Sequence, residues 1–280
     1  MKGRQAAAAT VMLIGALGGW ARVVPAAMVA VRVPFRLGPD IGYAVHADGF
    51  GAPRGLFVSP AGDLYVADEK RGEVVRIGRE GRREVMAREV LGASEIAMDA
   101  LGMLYVSSAA LKQVFRVSPH AVASVYLDGL AGPTALAFDP QGDLVVCESA
   151  AGAIRAFSSP RQSRVVARAE RPTGLALTRD GTTLVAENGT GRILRVRSDG
   201  STAPFAEGLQ GPEGMAVGPS GDLYVAEPRA GRLSRIRPDG TRQSVAEGLS
   251  GPRDPAFDAF GQLFVAETDA SRVIRLSGDF

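Results

Sequence analysis

A chain of 280 residues with one cysteine, one asparagine, two histidines and three lysines excludes several chemistries at once. Cys147 has no second thiol to meet, so neither an intramolecular disulfide nor a cysteine metal cluster can form. It stands where other repeats of the chain place Ala67, Ala186, Ala226 and Ala266, the setting of a small buried side chain rather than a nucleophile. Lys2, Lys70 and Lys112 are the only lysines; the remaining basic charge is arginine, spread along the chain, and the formal net charge is only +2. That scatter is unlike the concentrated basic stripe of a nucleic-acid binder. No Ser/His/Asp grouping and no glycine-rich phosphate loop is present.

Glycine and proline, by contrast, are abundant and fall between short apolar runs, as an all-β chain with many turns requires. Their order is periodic. The phrase Gly62-Asp63-Leu64-Tyr65-Val66-Ala67-Asp68 recurs with some drift, opening at Gly62, Gly102, Gly142, Gly181, Gly221 and Gly261, at spacings of 40, 40, 39, 40 and 40 residues. A period of about 40 containing four short strands is the signature of a β-propeller blade. Each unit reads as an inner strand rich in small residues, such as Gly214-Met215-Ala216-Val217, then a turn, the phrase itself, a third strand and an outer strand. The period-two alternation predicts half-buried strands rather than helices.

Closure of the ring can be read at the two ends. The last unit stops after its third strand. Residues 47–53 align without a gap to residues 246–252, the linker that follows a complete outer strand. Residues from about Ile41 to Ala47 should therefore complete the last blade and cover an open sheet edge. The predicted organisation is a leader over residues 1–31, a linker over 32–40 and a six-bladed propeller over 41–280. In the leader, Lys2 and Arg4 precede an apolar stretch from Ala6 to Ala21, the grammar of an export signal. Two readings stand: cleavage near Val24-Pro25-Ala26, or retention of residues 6–31 as a membrane anchor. Both put the propeller in the periplasm or outside the cell.

From Gly51 onward the chain resembles NHL-repeat propellers and their wider superfamily, which includes gluconolactonase-like and paraoxonase-like lactonases and virginiamycin B lyase. The likeness is carried by units such as Gly211-Pro212-Glu213-Gly214-Met215-Ala216-Val217, followed by Gly221-Asp222-Leu223-Tyr224-Val225-Ala226-Glu227. It implies the fold and leaves activity open, since the superfamily mixes enzymes with scaffolds. A lactonase of this kind implies an axial calcium held by carboxylates and asparagines; here Asn188 is the one asparagine, and Glu95, Glu213 and Asp254 alternate with Arg54 and Arg253. A lyase implies a histidine near the axis, whereas His46 and His120 fall on peripheral segments.

Two sets of residues stand out. The acids Asp68, Glu148, Glu187, Glu227 and Glu267 end the second strands, and Arg76, Arg116, Arg195, Arg235 and Arg275 recur eight residues after such positions, a spacing that suggests a repeated ion pair or turn cap. Around the channel mouth, Arg54, Glu95, Thr134, Thr173, Asn188, Glu213, Arg253 and Asp254 should form a mixed, charged binding face. With no catalytic set in view, the expectation is a non-catalytic interaction or scaffold subunit, with no metal or other cofactor. It would have protein partners, membrane-embedded if the leader is retained. The alternative is a metal-dependent lactonase-like or lyase-like enzyme with its site in the central channel.

Overall fold

The computed structural model describes residues 36–278 and residue 280. The leader expected over residues 1–31 lies outside the described residues. Six antiparallel sheets follow one another along the chain, and the expected six-bladed propeller is what they form. In the first blade the strands Pro53–Val58, Leu64–Asp68, Glu73–Ile77 and Arg83–Ala87 lie side by side in chain order. The first strands of successive blades touch one another around the ring, and the sixth touches the first.

The recurrent phrase opens on glycine for a backbone reason. Gly62 has φ +84° and donates its N–H to the Ser59 carbonyl at 2.8 Å, closing the turn between the first two strands. Positive φ recurs at Gly102, Gly142, Gly181, Gly221 and Gly261, a region that glycine enters without steric cost.

The second strands differ from the half-buried expectation: Leu64–Asp68, Leu104–Ser108, Leu144–Glu148, Leu223–Glu227 and Leu263–Glu267 are buried at every residue. Alternation sends successive side chains to opposite neighbours instead of to core and solvent. Leu64 and Val66 pack with Phe264 and Ala266 of the sixth blade, while Tyr65 and Ala67 pack with Ile96, Leu104 and Val106 of the second. The apolar core is thus a set of layers between blades, each fully buried Val or Leu worth roughly 1.5–3 kcal/mol.

Gly42–Ala47 completes the last blade as expected, with Tyr43 opposite Leu276 and Val45 opposite Ile274. One expectation needs correcting. Within the stretch read as a linker, Arg36–Leu37 forms a fifth strand on the fifth blade, with Arg36 opposite Glu247 and Leu37 opposite Ala246. Gly38 donates to the Val245 carbonyl at 2.8 Å, extending the pairing. The outer strand Arg242–Glu247 gains cover for backbone groups that an open edge would leave to solvent. Among the described residues no helix is long and apolar enough to cross a membrane.

Candidate active site at the channel mouth

Five of the six first strands enter their sheets through a bulge; the fifth, Met215–Val217, pairs without one. In the first blade Pro53 lies opposite Asp68 and Leu56 opposite Val66, so Arg54 and Gly55 sit in the irregular step; the second, third and sixth blades repeat this register. The second residue of five of these strands gives Arg54, Ser94, Thr134, Thr173 and Arg253, and Glu213 holds the equivalent place just ahead of the fifth, Met215–Val217. The third position is crowded by the next blade: a Cβ built on Gly55 would lie 2.1 Å from the Ser94 carbonyl oxygen. Four blades meet that constraint with Gly55, Ala135, Gly174 and Gly214, and the other two place Glu95 and Asp254 there. These acids belong to the second and sixth blades, the two that flank the first. With no side chain on Gly55 between them, their carboxyls hydrogen bond to each other.

The surroundings hold a proton on this pair. Burial comes first, lifting Glu95 from its ordinary 4.5 to about 7, against the hydrogen bond from the Ile96 N–H (3.2 Å), the one to Asp254 and the nearby Arg54 charge. Burial also raises Asp254 well above its ordinary range, the Glu95 charge adds to the rise, and the Leu56 N–H, 2.8 Å from Oδ2, opposes it. Two carboxyls in contact cannot both ionise cheaply, so the pair carries one proton near neutrality and titrates as a unit. Asp254 is 5% exposed, whereas Glu95 is crowded by protein yet keeps part of its surface open to water, as a side chain lining a narrow channel does.

Above the pair lies a web of charge. Arg54 reaches both oxygens of Glu69 at 3.1 Å and Glu213 at 3.4 Å. Arg253 pairs with the same Glu213 through Nη1, and its Nε is buried without a partner. Asn188 donates to the Gly211 carbonyl at 3.2 Å and to Glu213 at 3.4 Å, while its own oxygen accepts from Arg229 at 2.9 Å. Thr134 and Thr173, expected on the binding face, brace the ring. Their hydroxyls donate to Pro172 and Pro212 carbonyls, both at 3.0 Å, tying each blade to the next.

The repeated acid and the arginine eight residues on are not partners, which corrects half of that expectation. The turn-capping half is what the structure contains: Asp68, Glu148, Glu187, Glu227 and Glu267 accept the backbone N–H groups of Gly51, Ala131, Glu170, Gln210 and Ser250. Their guanidinium partners come from other registers. Arg192, Arg232 and Arg272 lie directly opposite Glu187, Glu227 and Glu267 on the neighbouring strand. Arg76 and Arg235 instead bind Asp63 and Asp222, Arg116 and Arg195 lie over the rings of Tyr126 and Phe205, and exposed Arg275 faces Phe264 across the hairpin. The +8 spacing places an arginine opposite the residue three before the acid, hence the mismatch.

The remaining reactive groups lie away from the pair or are inert. His46 and His120 are exposed on peripheral segments, His46 edge-on to Phe264 at 4.8 Å. Cys147 is buried, and burial pushes its thiol far up, with the Glu95 charge adding to the rise. A groove of about 1010 Å³ runs between the third and fourth blades, lined by residues such as Arg164 and Arg195, and it does not include the channel residues.

No protein-family model matches the chain, and no curated protein matches it in sequence. Solved structures do match in fold. A gluconolactonase from Xanthomonas campestris is similar with a TM-score of 0.77 at 16% identity, over 88% of this chain and 95% of that one. Virginiamycin B lyase from Staphylococcus aureus gives 0.65 at 15%, over 87% and 99%. The PQQ-bound aldose sugar dehydrogenase of Streptomyces coelicolor gives 0.69 at 17%, over 87% and 100%. The fold is therefore that of the gluconolactonase-like and lyase propellers, as the sequence resemblance implied.

These neighbours overturn the expectation of a non-catalytic scaffold. The expectation rested on a missing catalytic set in a fold taken to be neutral about activity, yet the gluconolactonase, the lyase and the dehydrogenase that share the fold are enzymes. It also overlooked the Glu95–Asp254 pair. The calcium centre implied by the lactonase resemblance does not fit the residues present. Glu213 is already shared by Arg54, Arg253 and Asn188, Asn188 gives its oxygen to Arg229, and Glu95 and Asp254 hold a proton between them. Among the described residues no group of three or more His, Cys, Asp or Glu side chains gathers for a metal. A catalytically inactive histidine-to-alanine variant of the lyase was solved with quinupristin; here both histidines, His46 and His120, are peripheral.

Proposed function

We propose that the protein is an enzyme that opens a cyclic ester by metal-free general acid–base hydrolysis at the channel mouth, with Glu95 as its catalytic residue. The observation that carries this reading is the carboxyl pair, whose accessible member titrates at about 7. A base poised near the working pH is the most effective proton acceptor, and burial is what brings this carboxyl there. Ionised Glu95 takes a proton from water as the water oxygen bonds to the ester carbonyl carbon. When the tetrahedral centre collapses, the ring carbon–oxygen bond breaks, and Glu95 returns the proton to the departing oxygen. The product is a hydroxy acid. Asp254, buried behind, is a positioning residue: its proton holds Glu95 in place, while burial keeps Glu95 basic. The fold is shared with a gluconolactonase, which supports a lactone as the substrate class. The apolar leader supports action outside the cytoplasm, and the intact mass of native protein distinguishes a cleaved leader from a retained one.

The test is turnover of a panel of sugar and aliphatic lactones, beginning with D-glucono-1,5-lactone, read by product mass against the spontaneous rate. The expected product is heavier than substrate by one water. Glu95→Gln should lower turnover by about 10²–10⁴-fold, and Asp254→Asn, which keeps a hydrogen-bond donor beside the still buried Glu95, should leave the rising limb of the pH profile near 7. Wild-type turnover by Glu95→Gln would overturn the assignment, as would a product isomeric with substrate, the mark of elimination, or a panel left unopened.

A further inference from the structure

We infer that the substrate carries a carboxylate, and that Arg253 and Arg54 receive it in place of Glu213. This deepens the proposed function and rests on it for the location of the site. The two guanidiniums stand on the second residue of the sixth and first inner strands, one step above Asp254 and Gly55. They come from adjacent blades and converge on one carboxylate, Glu213 of the fifth. Arg253 spends only Nη1 on that contact and leaves Nε buried without an acceptor. A buried guanidinium N–H with nothing to donate to is costly, and a two-oxygen anion that meets Nε and Nη together removes that cost. Arg54 holds Glu69 with Nη1 and extends Nη2 toward Glu213 at the longer distance of 3.4 Å, so that hand is free to move to another anion.

Glu213 is therefore an internal stand-in for the ligand. Its side chain is 16% exposed, and those of Arg54 and Arg253 are 27% and 26% exposed, so the three can be approached from the channel mouth. Their partners suit exchange: Asn188 holds Glu213 at 3.4 Å from one side, and Arg229 fixes Asn188 in turn. Once displaced, Glu213 can stay with the Asn188 amide while the guanidiniums change partner. A ring bearing a carboxylate beside its ester would then be held above Glu95 with its charge on arginine and its carbonyl toward the base. The requirement is for a planar carboxylate on a small polar skeleton; a neutral lactone meets only half of the site.

The test is direct binding by calorimetry, using D-gluconate against D-glucitol, which share a skeleton and differ in the carboxylate. Gluconate should bind at least about tenfold more tightly than glucitol, and Arg253→Gln or Arg54→Gln should each weaken it by about tenfold or more. Glu213→Gln should change affinity in the opposite direction, tightening gluconate by about tenfold because the internal competitor is gone. A residue that merely braces the fold would not tighten binding when removed, so this variant keeps the proposal testable even if an arginine variant folds poorly. Equal affinity for the two probes, no saturable binding of gluconate, or weaker gluconate binding in Glu213→Gln would overturn it. Glu95→Gln separates this proposal from the catalytic one: carboxylate binding is expected to survive in that variant while turnover is lost.

Discussion

Replacing Glu95 by glutamine should make the protein more stable at pH 8 and leave its stability at pH 4 nearly unchanged. In the unfolded chain this carboxyl ionises with a midpoint of 4.5; in the folded protein the midpoint is about 7. Below 4.5 both states hold the proton and the group costs nothing. Between the two midpoints the unfolded chain releases its proton and the folded protein does not, so folding becomes progressively less favourable. Above about 7 the loss is complete. A rise of this size corresponds to about 3 kcal/mol, and the partial opening of Glu95 to water brings the expected loss to about 2–3 kcal/mol. Glutamine carries no proton to lose and can still donate to Asp254. Asp254 is raised as well but is present in both proteins; Glu187 and Glu227, burial notwithstanding, are held below the ordinary range by hydrogen bonds from backbone, hydroxyl and arginine donors. Urea unfolding of wild type and Glu95→Gln across pH 4 to 8 measures the effect. The two stability curves should coincide at the acid end and diverge between about pH 4.5 and 7, with the variant higher. Parallel curves would refute the reasoning, because a carboxyl that ionises alike in both states cannot be the poised base proposed here.

Three further outcomes are expected from the same structure. Tyr224 carries a buried hydroxyl with no partner between the rings of Phe257 and Phe280, so Tyr224→Phe should raise stability by about 1 kcal/mol, read as a higher urea midpoint. Glu267→Ala leaves the Ser250 N–H and Arg272 without their acceptor and should cost about 3–5 kcal/mol, whereas Arg275→Ala on the exposed face should change stability by less than about 0.5 kcal/mol; the reverse order would restore the +8 pairing. Gly55→Ala puts a methyl 2.1 Å from the Ser94 carbonyl oxygen, so the first and second blades must part, and thermal unfolding should show a loss of about 1–3 kcal/mol or more together with impaired turnover.

The repeat was legible because its punctuation is a backbone necessity: the glycine that opens each phrase occupies a positive-φ turn, and so it marks the blade wherever side chains drift. Ring closure was legible for a similar reason, since the linker before Pro53 aligns without a gap to the linker before Pro252. Arg36–Leu37 was not, because two residues carry no alternation; their pairing is set by the open edge of Arg242–Glu247. The acid–arginine pairing was misjudged because distance was counted along the chain, while partners are set across the hairpin, where Glu267 faces Arg272. Glu95 and Asp254 were picked out as part of a charged rim, but their meeting was not foreseen. The signal lay in the repeat alignment, in the third residue of the inner strand: Gly or Ala in four blades, an acid in the two that flank Gly55. Only the closed ring brings those two blades to either side of one glycine. The bracing by Thr134 and Thr173 was not legible either, since the acceptors of their hydroxyls lie on the next blade.

The most direct test of the shared proton is a carboxyl ¹³C NMR titration of protein labelled at glutamate side chains, with Glu95→Gln supplying the assignment. The resonance of Glu95 should titrate with a midpoint near 7 in the wild type and stay well above 4.5 in Asp254→Asn, because burial sets it and the asparagine amide still donates. A wild-type midpoint near 4.5 would contradict the account, for Glu95 would then be an ordinary carboxylate at the rim of the channel.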